Sequence, residues 1–176
     1  SGPTALSLEL ARMSTRKHRR SVFVAVPGNT AAMASAAMGA ARAGGYLLAL
    51  SGAPGNAVQK WVKVHASRSI VVAGKKELSN ADAAALRRPV RLGAQDPVVR
   101  AARIAGLGPR RGEAILVDNA RVMAAAAAAA SRRPVLFVAG KTGNAKALRF
   151  LQTSPAISTL LSVGATPSAL TAARRA

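Results

Sequence analysis

Six acidic residues, two histidines and no cysteine are what this chain of 176 residues offers to ordinary catalysis. Acid–base chemistry needs two titratable groups facing one reacting bond. The carboxylates of Glu9, Glu77, Asp82, Asp96, Glu113 and Asp118 instead fall one at a time along the sequence. His18 lies in a basic run and His65 near the end of an expected helix, and neither has the His-x-x-x-His partner of a helical zinc site. The missing cysteines remove thiolate nucleophiles, disulfides and Cys-based zinc sites. No Gly-x-Ser-x-Gly elbow occurs. Gly140-Lys141-Thr142 resembles the end of a phosphate-binding P-loop, but that loop needs a glycine five places earlier, where Val135 stands inside an apolar run. No catalytic residue, metal site or cofactor is expected.

Anion binding is the chemistry that remains. Lys and Arg total 26 against 6 acidic residues, a net charge of +20 and an isoelectric point near 12.0. Such a surface repels itself and attracts nucleic acid, anionic headgroups or acidic polysaccharide. An Arg-rich compositional bias or a solubility device is the plainer account of the same charge. Glycines with basic neighbours at strand ends, at Pro27-Gly28-Asn29, Gly74-Lys75-Lys76 and Gly140-Lys141-Thr142, could hold an anion on backbone N–H groups, and are also ordinary turns. Aromatic residues are only 3% of the chain, which gives bases little to stack on and disfavours a single-strand nucleic-acid reader.

The elements that would position these charges are written roughly twice. Val22–Val26, an Ala-rich stretch, Tyr46–Leu50, Gly55-Asn56-Ala57, Ile70–Gly74 and Ala84–Arg88 come first. Ile115–Val117, an Ala-rich stretch, Pro134–Val138, Gly143-Asn144-Ala145, Leu160–Gly164 and Thr171–Arg175 repeat that order at an offset of about ninety residues. The apolar runs 22–26, 46–50, 69–73, 114–117, 134–138 and 157–163 read as buried parallel strands. Helices are expected over 5–13, 30–43, 55–65, 79–88, 97–106, 120–131, 143–152 and 167–175. Asn29, Ser79, Asp96 and Asn119 stand as N-caps, Pro97 in a first turn and Gly44-Gly45 as a stop. The fold class is therefore α/β: two similar modules, residues 1–92 and 93–176, each a mainly parallel sheet flanked by helices. No run approaches the roughly 18 apolar residues of a membrane span. Ser1-Gly2-Pro3 resembles neither an initiator region nor a signal peptide, so any export signal is expected to have been removed or never present.

Arg68 to Ala105 carries an apolar strand ending in Gly74, a helix, then Val90-Arg91-Leu92, a glycine, Asp96 and a helix with Ala101-Ala102 and Ile104-Ala105. This ordered pattern resembles the type 2 cell-wall-binding repeat of Gram-positive bacterial surface proteins. Val22–Val26 fits that repeat's first strand, and Tyr46-Leu47-Leu48 and Pro134-Val135-Leu136 fit its Pro-Ile-Leu-Leu strand. Its Asp-Ala-Leu helix start is reduced here to Ala31-Ala32-Met33 and Arg121-Val122-Met123. The resemblance covers nearly the whole chain as two copies. It implies non-covalent attachment to a wall polymer such as an anionic polysaccharide or a teichoic-acid-like chain, and a place in the cell wall or outside the cell. Nucleic acid is the alternative partner, an enzyme using the strand-end loops is the third reading, and self-association is a further expectation.

The charge is expected to gather in one place. Arg19, Arg20, Arg68, Arg110, Arg111, Arg132 and Arg133 each precede an expected strand, and in parallel sheets such positions meet at the amino edge. Arg16 and Lys17 would lie close by, whereas Lys75, Lys76 and Lys141 fall at the carboxyl edge, where α/β proteins more often bind small ligands. A rim of guanidinium groups, each able to grip a phosphate or carboxylate with two donors, suits a polymer better.

Overall fold

The computed structural model describes residues 2–15, 19–92, 96–108, 110, 112–118, 132–138 and 145–176. The expected helix over 120–131, with its cap Asn119, lies outside them, as do Arg16, Lys17, Arg111 and Lys141. The chain is α/β, with parallel sheets flanked by helices. In order come α1 (Pro3–Met13), β1 (Arg20–Ala25), α2 (Thr30–Ala43), β2 (Tyr46–Ala49), α3 (Asn56–His65), β3 (Ala66–Val71), α4 (Asn80–Ala84), β4 (Pro89–Arg91) and α5 (Pro97–Ala105). They are followed by β5 (Gly112–Asp118), β6 (Val135–Val138), α6 (Ala145–Gln152), β7 (Ile157–Val163) and α7 (Pro167–Arg174).

The strands form a four-stranded sheet in the order β2-β1-β3-β4 and a three-stranded sheet in the order β6-β5-β7. Every pairing is parallel, with Val22 opposite Tyr46 and Ser69, and Ile115 opposite Val135 and Leu161. Alternation along β1 explains why it is central. Val22 and Val24 face one apolar cluster, with Leu8 of α1 and Val58, Trp61 and Val62 of α3. Phe23 and Ala25 face a second, with Ala36 and Met38 of α2. Both faces of the sheet are covered, as parallel sheets require. The second cluster does not stop there. It runs through Val98, Ala101 and Ile104 of α5 into Leu116, Phe137 and Phe150 beside the other sheet.

Local chemistry sets the boundaries. Asn29 Oδ1 accepts the Ala32 N–H at 2.9 Å, Ser79 Oγ that of Asp82 at 3.1 Å, and Asp96 Oδ1 that of Val98 at 2.8 Å. These side chains satisfy helix-start donors that would otherwise be orphaned. At the other end of α2, Gly44 takes the left-handed conformation at φ 57°, and the Gly45 N–H donates back to Ala40 O at 2.8 Å.

Several boundaries differ from the sequence expectation: β1 begins at Arg20, so that arginine opens the strand and does not precede it, and α4 ends at Ala84 where a helix was expected to run to residue 88. β3 starts at Ala66, directly off α3, so Arg68 lies within the strand, level with Ser21, and does not precede it. β4 is a strand that the apolar pattern did not mark, because it has three residues, begins with proline and leaves Val90 half exposed.

Candidate polyanion-binding surface

A helix that connects two parallel neighbours must return the chain to the sheet's amino edge. The helix carboxyl ends, with unpaired carbonyls and the negative end of the dipole, therefore collect where the arginines do. The structure shows the two meeting. Arg19 Nε donates to Val64 O at 2.9 Å and Arg87 Nη1 to Lys63 O at 2.8 Å, both in the last turn of α3. Arg20 Nη1 donates to Gly44 O at 2.7 Å, at the end of α2. Arg42 Nη2 donates to Ala105 O at 3.0 Å, at the end of α5, and its Nη1 to Arg132 O at 3.1 Å. Burial pushes the Arg42 guanidinium below its ordinary pKa. Much of the amino-edge charge is thus engaged by the protein's own carbonyls.

One cleft of about 540 Å³ opens on this edge, with Arg20 and Arg132 on its wall beside Ser14, Gly44, Gly45 and Tyr46. It brings together an arginine from each half of the sequence. Other expected rim residues meet side chains. Arg68 Nε lies 3.3 Å from Ser21 Oγ, Arg133 forms an ion pair with Glu113, and Arg110 lies over the Phe150 ring at 5.2 Å.

The carboxyl edge looks different. Lys75 and Lys76 are exposed in the turn after β3, but the glycine loop they flank is already filled by a carboxylate. Glu77 Oε2 accepts the Gly74 N–H and Glu77 Oε1 accepts Asn29 Nδ2, both at 2.6 Å. The chain's own anion sits where the glycine loops could have held a foreign one. Arg100 of α5, only 3% exposed, lies within the fields of Glu77 and Asp96; burial lowers its pKa and the two carboxylates raise it. Nearby, Arg91 Nη1 donates to Ala73 O at 2.7 Å and Nη2 to Leu78 O at 2.8 Å and Ser79 O at 3.2 Å. Replacing Arg91 by alanine should cost about 2 kcal/mol in urea unfolding, and lysine should rescue little, because one ammonium cannot reproduce a fork across that loop.

Sequence reasoning assigned no partner to Arg42, Arg87, Arg91 or Arg100; apart from Asp96, one turn before Arg100, these partners are distant in sequence. Among the described residues no group of three or more His, Cys, Asp or Glu could hold a metal, and no helix is long and apolar enough to cross a membrane.

No protein-family model matches the sequence, and no curated protein matches it. Two solved structures of Clostridium difficile cell wall proteins do match the fold. Cwp6 superposes with a TM-score of 0.75 at 12% identity, over 92% of this chain and 28% of that one. Cwp8 superposes with a TM-score of 0.69 at 12% identity, over 94% of this chain and 35% of that one. The likeness is one of fold. The chain spans about a third of the length of these neighbours.

Proposed function

We propose that this chain is a non-catalytic module that attaches to an anionic polymer of the bacterial cell envelope through its basic surface. The observation that carries the reading is a conjunction: a fold shared with two cell wall proteins, borne by a chain with a net charge of +20. The acidic residues that might have served chemistry support it by their partners, since Glu77 and Asp96 close a loop and a helix start and Glu113 pairs with Arg133. The order β2-β1-β3, matched by β6-β5-β7, supports the proposal that residues 1–92 and 93–176 are two degenerate type 2 cell-wall-binding repeats. The corresponding location is the cell wall or the extracellular face.

Nucleic acid is the second reading, and net charge is what favours it. The aromatic residues weigh against it: Phe23, Tyr46, Trp61, Phe137 and Phe150 are all buried, which leaves no Phe, Tyr or Trp ring exposed for a base. Co-sedimentation with purified Gram-positive cell walls tests the proposal. Native walls should retain the chain at physiological salt, and walls stripped of their anionic polymer should release most of it. Equal retention by stripped walls, or tighter binding to DNA or RNA at the same salt, would overturn it. So would a turnover that survives re-purification.

A further inference from the structure

Among the described residues four strands end a sheet, and three of them are guarded. β2 and β6 keep their side chains buried almost throughout, and the short β4 carries Pro89 and Arg91. β7 is the exception. Ile157–Val163 holds no charge, no proline and no glycine, in a chain with a net charge of +20. Ser158, Thr159, Leu161 and Ser162 are exposed, Leu161 by 38%. In the first sheet the outer edge of β3 is covered by β4, with Ser69 opposite Pro89 and Val71 opposite Arg91. β7 holds the corresponding place in the second sheet, and no described residue pairs with its outer edge. Alternate N–H and C=O groups along such an edge point away from the sheet and call for partners.

The start of β7 also borders a groove of about 510 Å³, lined by Ile157 to Leu160 and by Ala173 and Arg174 of α7. Ser154 belongs to the same lining. It is 3% exposed, and its hydroxyl has no hydrogen-bond partner among the described residues. A buried hydroxyl left so costs stability, and the backbone of a strand laid in the groove is a partner for it.

The strand's own chemistry says what fits. Two copies of this chain repel each other wherever arginine and lysine face arginine and lysine. β7 is free of that conflict along its length. Its edge is also self-complementary, because two antiparallel strands exchange N–H and C=O groups reciprocally about a twofold axis. Centred on Leu161, such a pairing sets Leu161 against its own copy, Leu160 against Ser162 and Thr159 against Val163. The ladder is uncharged and has an apolar pair at its middle. The copy's Gly164 and Ala165, both small, then run beside Ser158 and Ile157 at the groove.

We infer that this chain forms a twofold dimer in which β7 pairs with β7 of a second copy and joins the two three-stranded sheets into one continuous sheet. The contact is short, below the roughly 800 Å² per partner of a standard interface, so the association depends on protein concentration. It is independent of polymer binding and responds to salt in the opposite sense. Screening relieves the repulsion between two strongly basic copies and strengthens the pairing, whereas polyanion binding weakens.

Sedimentation velocity of the full chain over a concentration series should show a monomer–dimer equilibrium that moves toward dimer as salt is raised. Leu161→Lys places like charges directly opposite each other and should weaken the dimer at least about tenfold. Thr159→Lys, at an exposed position, puts a charge on the same edge with less risk to the fold and should act in the same direction. Leu6→Lys with Leu10→Lys, on the exposed face of α1, is the control and should leave the equilibrium unchanged. The chain has no cysteine, so Leu161→Cys adds a lone thiol. Across the twofold its Cα lies about 5 Å from that of its copy, within disulfide reach, and mild oxidation should give a covalent dimer. Ser158→Cys, about 20 Å from its copy in this register, should stay monomeric. A chain that is monomeric at every concentration and salt would overturn the inference. So would a dimer that the α1 variant abolishes and the β7 variants spare, or equal cross-linking at positions 158 and 161. A peptide of residues 87–92, the β4 segment, that binds and leaves the chain monomeric would assign the edge to a separate strand and overturn it too.

Discussion

A Gly45→Ala variant is expected to lose about 3 kcal/mol of folding stability, a fall of roughly 6–12 °C in melting temperature for a chain of this size. Gly45 stands just before β2, beside Ser21 in the central strand β1. An added methyl would overlap the Ser21 carbonyl oxygen. Backbone atoms in a paired strand cannot turn aside as a side-chain tip can. The conflict is purely steric, because Gly45 is not among the residues with positive φ. β2 would have to slide away from β1 and loosen the pairing that runs from Val22–Tyr46 to Ala25–Ala49. Gly52→Ala is the control: nothing lies within 4 Å of its added carbon, and its melting temperature should stay close to that of the parent. Thermal melts of both variants decide the matter, and a Gly45→Ala melt that matches the control would show that β2 has room to shift.

Arg20→Glu should cost about 2–3 kcal/mol, because it removes the donor to Gly44 O and sets a negative charge against the negative end of α2. Arg132→Glu makes the same change of charge in the lining of the same cleft. The Arg132 side chain is exposed and engages no partner among the described residues, so its reversal should leave urea stability within about 0.5 kcal/mol. At a temperature where both variants are folded, polyanion binding should weaken in each. Stability thereby separates the two roles that arginines play at this edge. An Arg20→Glu chain as stable as Arg132→Glu would mean that the carbonyl contact contributes nothing to the fold.

The alternation of strands and helices was legible because it rests on local pattern. The bounds of α2, the caps at Asn29, Ser79 and Asp96, and the Gly44 stop all follow from residues within one turn of each other. β4 and the early start of β3 were not legible, because Pro89–Arg91 and Ala66–Arg68 are neither apolar nor long. They are strands only because β3 and β1 offer free ladder positions. The site divides in the same way. That Arg19, Arg20 and Arg132 fall at the starts of strands could be read from the sequence. What they do there could not, since a carbonyl acceptor looks the same at every residue. A cleft lined by Arg103 of α5 and Arg149 of α6 escaped notice because these residues stand more than forty positions apart, and only the packing of the two helices brings them to one opening.

The apolar cluster that passes from Phe23 through α2 and α5 to Phe137 ties the two sheets into one core. A chain cut after β4 would keep Ala36, Met38 and Ala40 of α2 on the first sheet but lose Val98, Ala101 and Ile104 of α5, which share their cluster. The face between α2 and α5 must therefore stay small and apolar. Change is left to the outer surfaces, and there the chain is free to gather arginine.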